Sequence, residues 1–343
     1  MAIPATQQQY ELIKQAQGFS LRKDDQAPLR APADNEVLVR VRASSLNRRD
    51  LAILRGAYPV GSKEKLVPLS DGAGEVAAIG ARVTRFKVGD RVAAAFFQNW
   101  LAGRASAMTA TSALGGALNG MLAQYVILGE EGLVALPADL TFEEAAALPC
   151  AGVTAWAGLM RCGRLQAGDT ALLQGTGGVS VLGMQIAMAA GAKIYVTSSS
   201  DAKLQRALAL GASGLINYKA TPDWEKSLRE QTGGVGVNHI LEVGGSGTLP
   251  KSLAAASSGA HIALIGGLSG FGGDLPAAAL IGRNISVTGI FVGSRADFSD
   301  LLAFVARHRI KPVLDRCFEF ADAAAAYAYM ESASHFGKIV IRH

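Results

Sequence analysis

Between Gly168 and Gly191 the chain reads GDTALLQGTGGVSVLGMQIAMAAG. A short apolar run is followed by a turn holding Gly175, Gly177 and Gly178 and then by an apolar stretch long enough for a helix. With Cβ atoms missing, such a turn lets the backbone approach a pyrophosphate closely, and the helix N-terminus after it offers free amides and a partial positive charge. The spacing predicts a dinucleotide-binding strand-turn-helix in which Val179 opens the helix. Ser180 departs from the Gly or Ala usual at the sixth position, so a hydroxyl must fit where helix and strand pack. In a chain with 40 glycines an ordinary glycine-rich turn is the competing explanation. The strand-turn-helix context favours the nucleotide.

Around this motif, short apolar runs alternate with helical stretches. Strands are predicted at 170–174, 193–197, 214–217, 239–243, 260–265 and 285–291, and helices at 179–190, 202–210 and 249–256. That alternation predicts an α/β domain with a doubly wound parallel sheet. The first 140 or so residues read instead as β-rich. EVLVRVRASS, residues 36–45, alternates with Val37, Val39 and Val41 on one face, as a half-buried strand would. Gly72, Gly74, Gly80 and Gly89 punctuate the apolar runs that follow and suggest a small irregular barrel. Residues 99–120, rich in Ala, Gly, Ser and Thr, read as a long excursion over the surface or across a cleft. Thr141 and Glu144 have capping-box spacing ahead of an Ala-rich helix running up to Pro149. After Gly293, a helix at 296–308, a strand near 317–320, an Ala-rich helix from Asp322 and a strand at 338–341 suggest a return to the first domain. The expected division is 1–141 with 293–343, and 142–292 between them.

Composition narrows the function. The 343 residues carry 33 Lys and Arg against 28 Asp and Glu, a net +5 with no long basic block, so no nucleic-acid partner is expected. No segment approaches the roughly 18 apolar residues of a membrane span, and the polar start MAIPATQQQYELIK lacks the pattern of a secretory signal. A cytoplasmic protein follows as the expectation. Cys150, Cys162 and Cys317, an odd set without a C-x-x-C pair, read as reduced packing thiols.

The end of the second predicted strand bears on which dinucleotide is bound. A binder of the unphosphorylated ribose places Asp or Glu there, about 20 residues past the first glycine. Here Thr197, Ser198, Ser199 and Ser200 fill that place, followed by Asp201 and Lys203. Hydroxyl donors and an ammonium, with no carboxylate at the strand end itself, favour NADP(H) over NAD(H). Capping of the next helix, by Asp201, is compatible with that role.

Several motifs together resemble a known family. Asn47-Arg-Arg-Asp50, Gly56-Ala-Tyr58-Pro59, Ser70-Asp-Gly-Ala-Gly74, Val88-Gly-Asp-Arg-Val92, Gly152-Val-Thr-Ala-Trp156 and Gly175-Thr-Gly-Gly-Val179 follow in the order of the medium-chain dehydrogenase/reductase superfamily. The likeness is to its zinc-free quinone oxidoreductase-like and alcohol dehydrogenase-like members, and it runs through Gly293-Ser-Arg295 to Phe336-Gly-Lys-Ile-Val340. It implies a GroES-like catalytic domain built from both chain ends, a Rossmann domain between them and an active site in the cleft. Where zinc-dependent relatives carry a cysteine and a His-Glu pair, this chain has Asn47, Ser70 and Asp71, and residues 99–120 lack the cysteines of a structural-zinc lobe. Catalytic zinc needs about three protein ligands. No metal is therefore expected.

Without a Lewis acid, hydrogen bonds must polarise the substrate and positioning must deliver the hydride. The resemblance carries a proton-donor role to Tyr58, in a context like that of related enoyl-thioester reductases, while a cleft-lining aromatic remains the equal alternative. Asn47 offers an amide donor to the substrate or the nicotinamide ribose, and Asp50 is expected to tie down backbone. Thr154 is implied near the nicotinamide, Lys203 and Tyr218 near the adenosine 2′-phosphate, and Gly266 at the end of a strand facing the cofactor. Phe291, Gly293 and Arg295 are expected to close on it. The expected function is an NADP(H)-dependent, zinc-independent oxidoreductase acting on a quinone, an enone or a related activated carbonyl compound. An NADP-dependent alcohol dehydrogenase and a non-catalytic NADPH-binding regulator are the alternatives. Apolar 285–290 would suit a homodimer formed through the sheet edge.

Overall fold

The computed structural model describes residues 3–60, 63–272 and 275–343 and divides into two compact units, Met1–Ala151 with Gly293–His343, and Gly152–Val292. Gly61 and Ser62, part of a loop expected to line the cleft, lie outside the described residues.

Both chain ends share one sheet in the first unit. Its strands run in the order Leu314–Glu319, Lys338–Arg342, Glu36–Ser45, Asp71–Ile79, Arg91–Ala94 and Leu133–Ala135, with Tyr125–Gly129 also pairing Glu36–Ser45. The closing strand is antiparallel to Glu36–Ser45, with Val340 opposite Ser45 and Arg342 opposite Ala43. Val37, Val39 and Val41 enter a core with Val92, Val126 and Leu133. Leu38, on the other face, is fully buried too. The strand is thus covered on both sides rather than half-buried, because the helix Phe142–Ala146 lies over that second face. A smaller sheet orders Phe19–Pro28, Thr6–Lys14 and Lys65–Leu66, a hairpin plus one short strand, in the β-rich part of the chain but at positions where no individual strand was placed.

Thr141 Oγ1 accepts from Glu144 N at 3.1 Å and the Glu144 carboxylate accepts from Thr141 N at 2.9 Å, so the capping box forms. The helix does not stop at Pro149. It continues through Leu148–Gly152, Val153–Trp156 and Ala157–Cys162, two of these being wider π-turns, and such turns accommodate a residue that has no N–H to give. Ser45 Oγ donates to Ala146 O at 2.7 Å and Cys150 N to Asp71 Oδ2 at 3.1 Å. These bonds hold the chain to the first unit until Ala151, past the expected boundary at 141/142.

The second unit is a six-stranded sheet, all of its pairs parallel, in the order Gly214–Asn217, Lys193–Ser198, Thr170–Gln174, Val237–Glu242, Ala256–Leu264, Ser286–Gly289. Numbered from Thr170–Gln174, that order is 3-2-1-4-5-6, the doubly wound arrangement whose ligand crevice opens between strands 1 and 4. Helices Gly178–Ala189, Asp201–Ala209 and Leu249–Ala255 match the expected ones within two residues. Trp224–Gln231 and Ala277–Arg283 fill two further gaps between strands, where no bounds had been assigned.

His239 and His261 lie opposite each other on neighbouring strands and are 5% and 8% exposed. His239 Nε2 meets Asp169 Oδ2 at 2.9 Å, while neither ring nitrogen of His261 has a partner among the described residues. Burial, reinforced by His239, lowers the His261 ring from 6.5 to about 4. The unfolded chain then takes up the proton more readily, so stability is lost as pH falls through that window and is kept above it. At about 1.36 kcal/mol per unit, acidifying from pH 6.5 to 5 should cost about 2 kcal/mol through this residue. Urea unfolding at pH 7 and pH 5 checks this. His261→Gln should lose less on acidification than the wild type by about that amount, and equal losses would refute it.

Candidate functional site

In the first unit the site starts at the short helix Arg48–Leu54. Asn47 precedes it in extended conformation, and Asp50 reaches back so that Oδ2 accepts from Asn47 N at 2.7 Å. Asp50 is therefore a backbone tie. Burial raises its carboxyl to about 6, against the Arg49 charge and the Asn47 N–H that hold it down. At the other end Gly56, at φ +70°, closes the helix: Gly56 N donates to Ile53 O at 2.9 Å and Ala57 N to Ala52 O at 2.8 Å. This paired bonding is a Schellman turn, which needs a left-handed residue. It delivers Tyr58 next to Leu12, Ile53, Val60 and Leu66.

Arg49 ties the two parts together. Its guanidinium lies 5.0 Å from the Tyr58 ring centroid and 4.8 Å from that of Phe96, within cation-π range. One nitrogen donates to Leu114 O at 2.9 Å, and a Cβ on Gly116 would sit 2.0 Å from the other. So the 99–120 segment is not only a surface excursion. Its tip, around 101–107, is exposed, but its second half is packed inward against Arg49 and Leu69.

Ser70 and Asp71 follow Leu69, a fully buried residue held at φ +69°, where a side chain strains the backbone. Asp71 Oδ1 accepts from Ser70 Oγ at 2.7 Å. Lys338, 2% exposed, donates to Leu46 O and to Asn47 Oδ1 at 2.7 Å each and stands 3.7 Å from Asp71 Oδ2. Sequence reasoning missed it. A signal was present, because Lys338 leads directly into Ile339, Val340 and Ile341, all fully buried. Burial and the nearby Asp71 push the Cys150 thiol far up, which disfavours a thiolate. Among the described residues no group of three or more His, Cys, Asp and Glu is placed to hold a metal ion.

In the second unit the glycine turn opens the crevice. Gly175, at φ +72°, donates to Thr197 O at 2.7 Å, and a Cβ at Gly175 or Gly177 would meet nothing within 4 Å. Gly177 caps the helix Gly178–Ala189, which includes Val179. That open space beside free helix-terminal amides fits a pyrophosphate. The Ser180 hydroxyl donates to Gln174 O at 2.6 Å, which resolves the departure from the fingerprint. Close packing falls instead to Gly183, where a Cβ would lie 2.6 Å from Leu241 Cδ1.

Ser198 and Asn217 are partners at the ends of adjacent strands, and Tyr218 N donates to Ser198 O at 3.1 Å. Ser198 is buried, Ser199 is half-buried and Tyr218 is 42% exposed. Ser200, not Asp201, caps the next helix, accepting from Lys203 N at 3.4 Å. Asp201 accepts from Asn217 Nδ2 at 2.7 Å instead. Lys203 stands in that helix's first turn beside the serines.

Between strands 1 and 4, fully buried Glu242 accepts from Gln174 Nε2 at 2.7 Å, Gly244 N at 2.8 Å, Gly245 N at 3.0 Å and Thr248 Oγ1 at 2.5 Å, and also from Ser252 Oγ. The network fixes the loop after strand 4, against which Gly266 packs: a Cβ there would fall 2.9 Å from Val243 O. Thr154 is buried in Val153–Trp156, and Phe291 is 44% exposed near the end of this unit. Gly293 and Arg295 belong to the first unit, where Arg295 N donates to Trp100 O at 2.8 Å and its guanidinium pairs with Glu131.

Comparison with known proteins agrees with this architecture. Residues 33–138 match the alcohol dehydrogenase GroES-like domain family, and residues 178–307 match the zinc-binding dehydrogenase family. A zinc-type alcohol dehydrogenase-like protein of Schizosaccharomyces pombe is 44% identical over 313 residues, 90% of either chain. A solved structure from Sinorhizobium meliloti 1021, provisionally described as an alcohol dehydrogenase, is 39% identical, superposes with a TM-score of 0.92 and covers 99% of this chain and 100% of its own. A quinone oxidoreductase from Pseudomonas syringae pv. tomato DC3000 is 27% identical, with a TM-score of 0.81 and coverage of 98% and 100%. The chain belongs to the medium-chain dehydrogenase/reductase superfamily, as one of its alcohol dehydrogenase-like oxidoreductases.

Proposed function

We propose that this protein is a zinc-independent, NADPH-dependent oxidoreductase that passes hydride to a quinone, an enone or a related activated carbonyl compound. The observation that carries the reading is the buried Lys338 ammonium, 2.7 Å from Asn47 Oδ1 and 3.7 Å from Asp71 Oδ2. Asn47, Ser70 and Asp71 occupy positions where zinc-dependent members carry ligands. An amide, a hydroxyl and a carboxylate already paired to an ammonium do not suit zinc, which favours thiolate and imidazole, and a second cation there would meet Coulomb repulsion. Elemental analysis should find well below one zinc per chain, and chelators should leave activity intact. Stoichiometric zinc surviving dialysis would sink this part of the reading.

The bound cofactor supplies the hydride. The protein orients it and completes the reaction with a proton. The open glycine turn supports a pyrophosphate in the second unit, and Ser198, Ser199, Lys203 and Tyr218 support a 2′-phosphate beside it. Thr154 and Gly266 are assigned to the nicotinamide half, with Phe291, Gly293 and Arg295 closing on the cofactor. In the first unit Asn47 supplies a hydrogen-bond donor and Tyr58 the proton. Arg49 fixes the Tyr58 ring by lying over its face.

A second reading is oxidation of a small alcohol with NADP, and relatives described as alcohol dehydrogenases favour the alcohol as substrate. Initial rates of NADPH consumption with a panel of quinones and enones, set against NADP reduction by alcohols, separate the two. Tight NADPH binding without turnover of either kind would leave a nucleotide-binding regulator. A homodimer through the edge strand Ser286–Gly289 is part of the proposal, supported by Phe271 at 92% and Ile281 at 81% exposure in the same unit.

A further inference from the structure

Lys338 and Asn47 form an arrangement whose chemistry permits one orientation. An ammonium has three donors and no acceptor, so the amide atom facing Lys338 must be the oxygen. Reversing the amide would set NH₂ against NH₃⁺. The backbone confirms that this ammonium is anchored independently of Asn47, since it also donates to Leu46 O at 2.7 Å. Asp71 counters its charge while being held itself by the Ser70 hydroxyl and by Cys150 N. The cation is therefore compensated and fixed, as burial of a charge requires.

The consequence appears on the other side of the amide. Asn47 is 8% exposed and its Nδ2 is buried without a partner among the described residues. A buried unpaired donor costs about 1 to 3 kcal/mol, so such a group in a packed site points to a ligand atom that completes it. No described residue accepts from Nδ2: Asp50 meets Asn47 N through Oδ2 while its Oδ1 bonds to no described residue, and the Asn47 backbone carbonyl accepts from Asp50 N at 2.9 Å.

We propose that Lys338 is a positioning residue: its buried ammonium holds Asn47 Oδ1 so that Nδ2 is aimed as the donor to the substrate oxygen on which charge develops. This rests on the reductase reading above. In the balanced step a nicotinamide C–H bond of bound NADPH would break and NADPH be oxidised to NADP+, while the hydride forms a bond to substrate carbon, the C=O π pair, or the conjugated pair of an enone or quinone, moves to oxygen, and the proton comes from an acid such as Tyr58. The Asn47 amide stabilises the oxygen and transfers no proton.

Four variants and one spectrum test the proposal. Asn47→Asp keeps an oxygen for Lys338 and removes the donor, so it should fold as stably as the wild type while kcat falls about 10-fold to 100-fold. Unchanged kcat in that variant overturns the proposal. Lys338→Met should cause a similar fall in kcat with the NADPH dissociation constant within about 3-fold, and adding it to Asn47→Ala should cost little more than Asn47→Ala alone. Losses that multiply would mean that Lys338 does not act through Asn47. The spectrum needs no substrate. In ligand-free protein labelled with 15N-asparagine, the Asn47 side-chain amide, identified by its absence in Asn47→Asp, should give a pair of proton signals whose positions shift and whose exchange with water quickens in Lys338→Met. The same two signals in both proteins would overturn the positioning role even for an active enzyme, whereas an inactive wild type would count against the reductase reading alone.

Discussion

Tyr58→Phe should lower turnover by about 10² or more, the usual scale for a positioned general acid, with NADPH affinity nearly unchanged. The substitution removes one oxygen and leaves the ring, which packs on Leu12, Ile53, Val60 and Leu66 and lies under the Arg49 guanidinium. Packing and cation-π contact survive in phenylalanine, so a lost rate reports the hydroxyl. Steady-state kinetics with NADPH and a responsive quinone or enone, beside a fluorescence titration of NADPH, make the measurement. Turnover unaltered by the change would reduce Tyr58 to a wall of the site, and a parallel loss of NADPH binding would point to a cofactor contact instead.

The parts of the fold that were legible in the sequence are those set by local periodicity and turn chemistry. Strand Thr170–Gln174, the glycine turn and the helix after it could be read directly, because an apolar run, a left-handed Gly175 and an apolar helix are consecutive in the chain. The Thr141 capping box is local in the same way. Features made by distant residues were less visible. Asn47 was found as a candidate and Asp71 was noted where zinc-dependent relatives carry a ligand, but Lys338, which meets both, is 291 residues from Asn47 and a lone lysine ordinarily reads as surface charge. Glu242 was missed for the same reason: its donors come from Gln174 and from the Gly244–Ser252 stretch, and only the sheet order brings them to one carboxylate. The polar helix Trp224–Gln231 shows only Trp224 and Leu228 to the core, too few apolar positions to mark a period. The Ser200 cap was mistaken for Asp201 because either residue type caps helices, and the choice depends on which one has the extended backbone.

The cofactor assignment leads to the second large effect. NADPH and NADH differ only in the 2′-phosphate, so discrimination between them must come from groups that meet it. The structure sets Ser198 and Asn217 side by side at adjoining strand ends, with Tyr218 bonded to Ser198 O at 3.1 Å and Lys203 in the first turn of the helix that Ser200 caps. A hydrogen bond to a charged group is worth about 1.5 to 3 kcal/mol, and about 1.4 kcal/mol is a factor of ten. Lys203→Ala should therefore weaken NADPH about 10-fold to 100-fold and leave NADH almost untouched. Ser200, the cap, remains in this variant, and the Lys203 backbone N–H that it accepts from is unchanged by the substitution. Titration of wild type and variant with both nucleotides decides the matter. Equal weakening of the two would assign Lys203 to the fold, and a wild type that prefers NADH would reject the 2′-phosphate site itself.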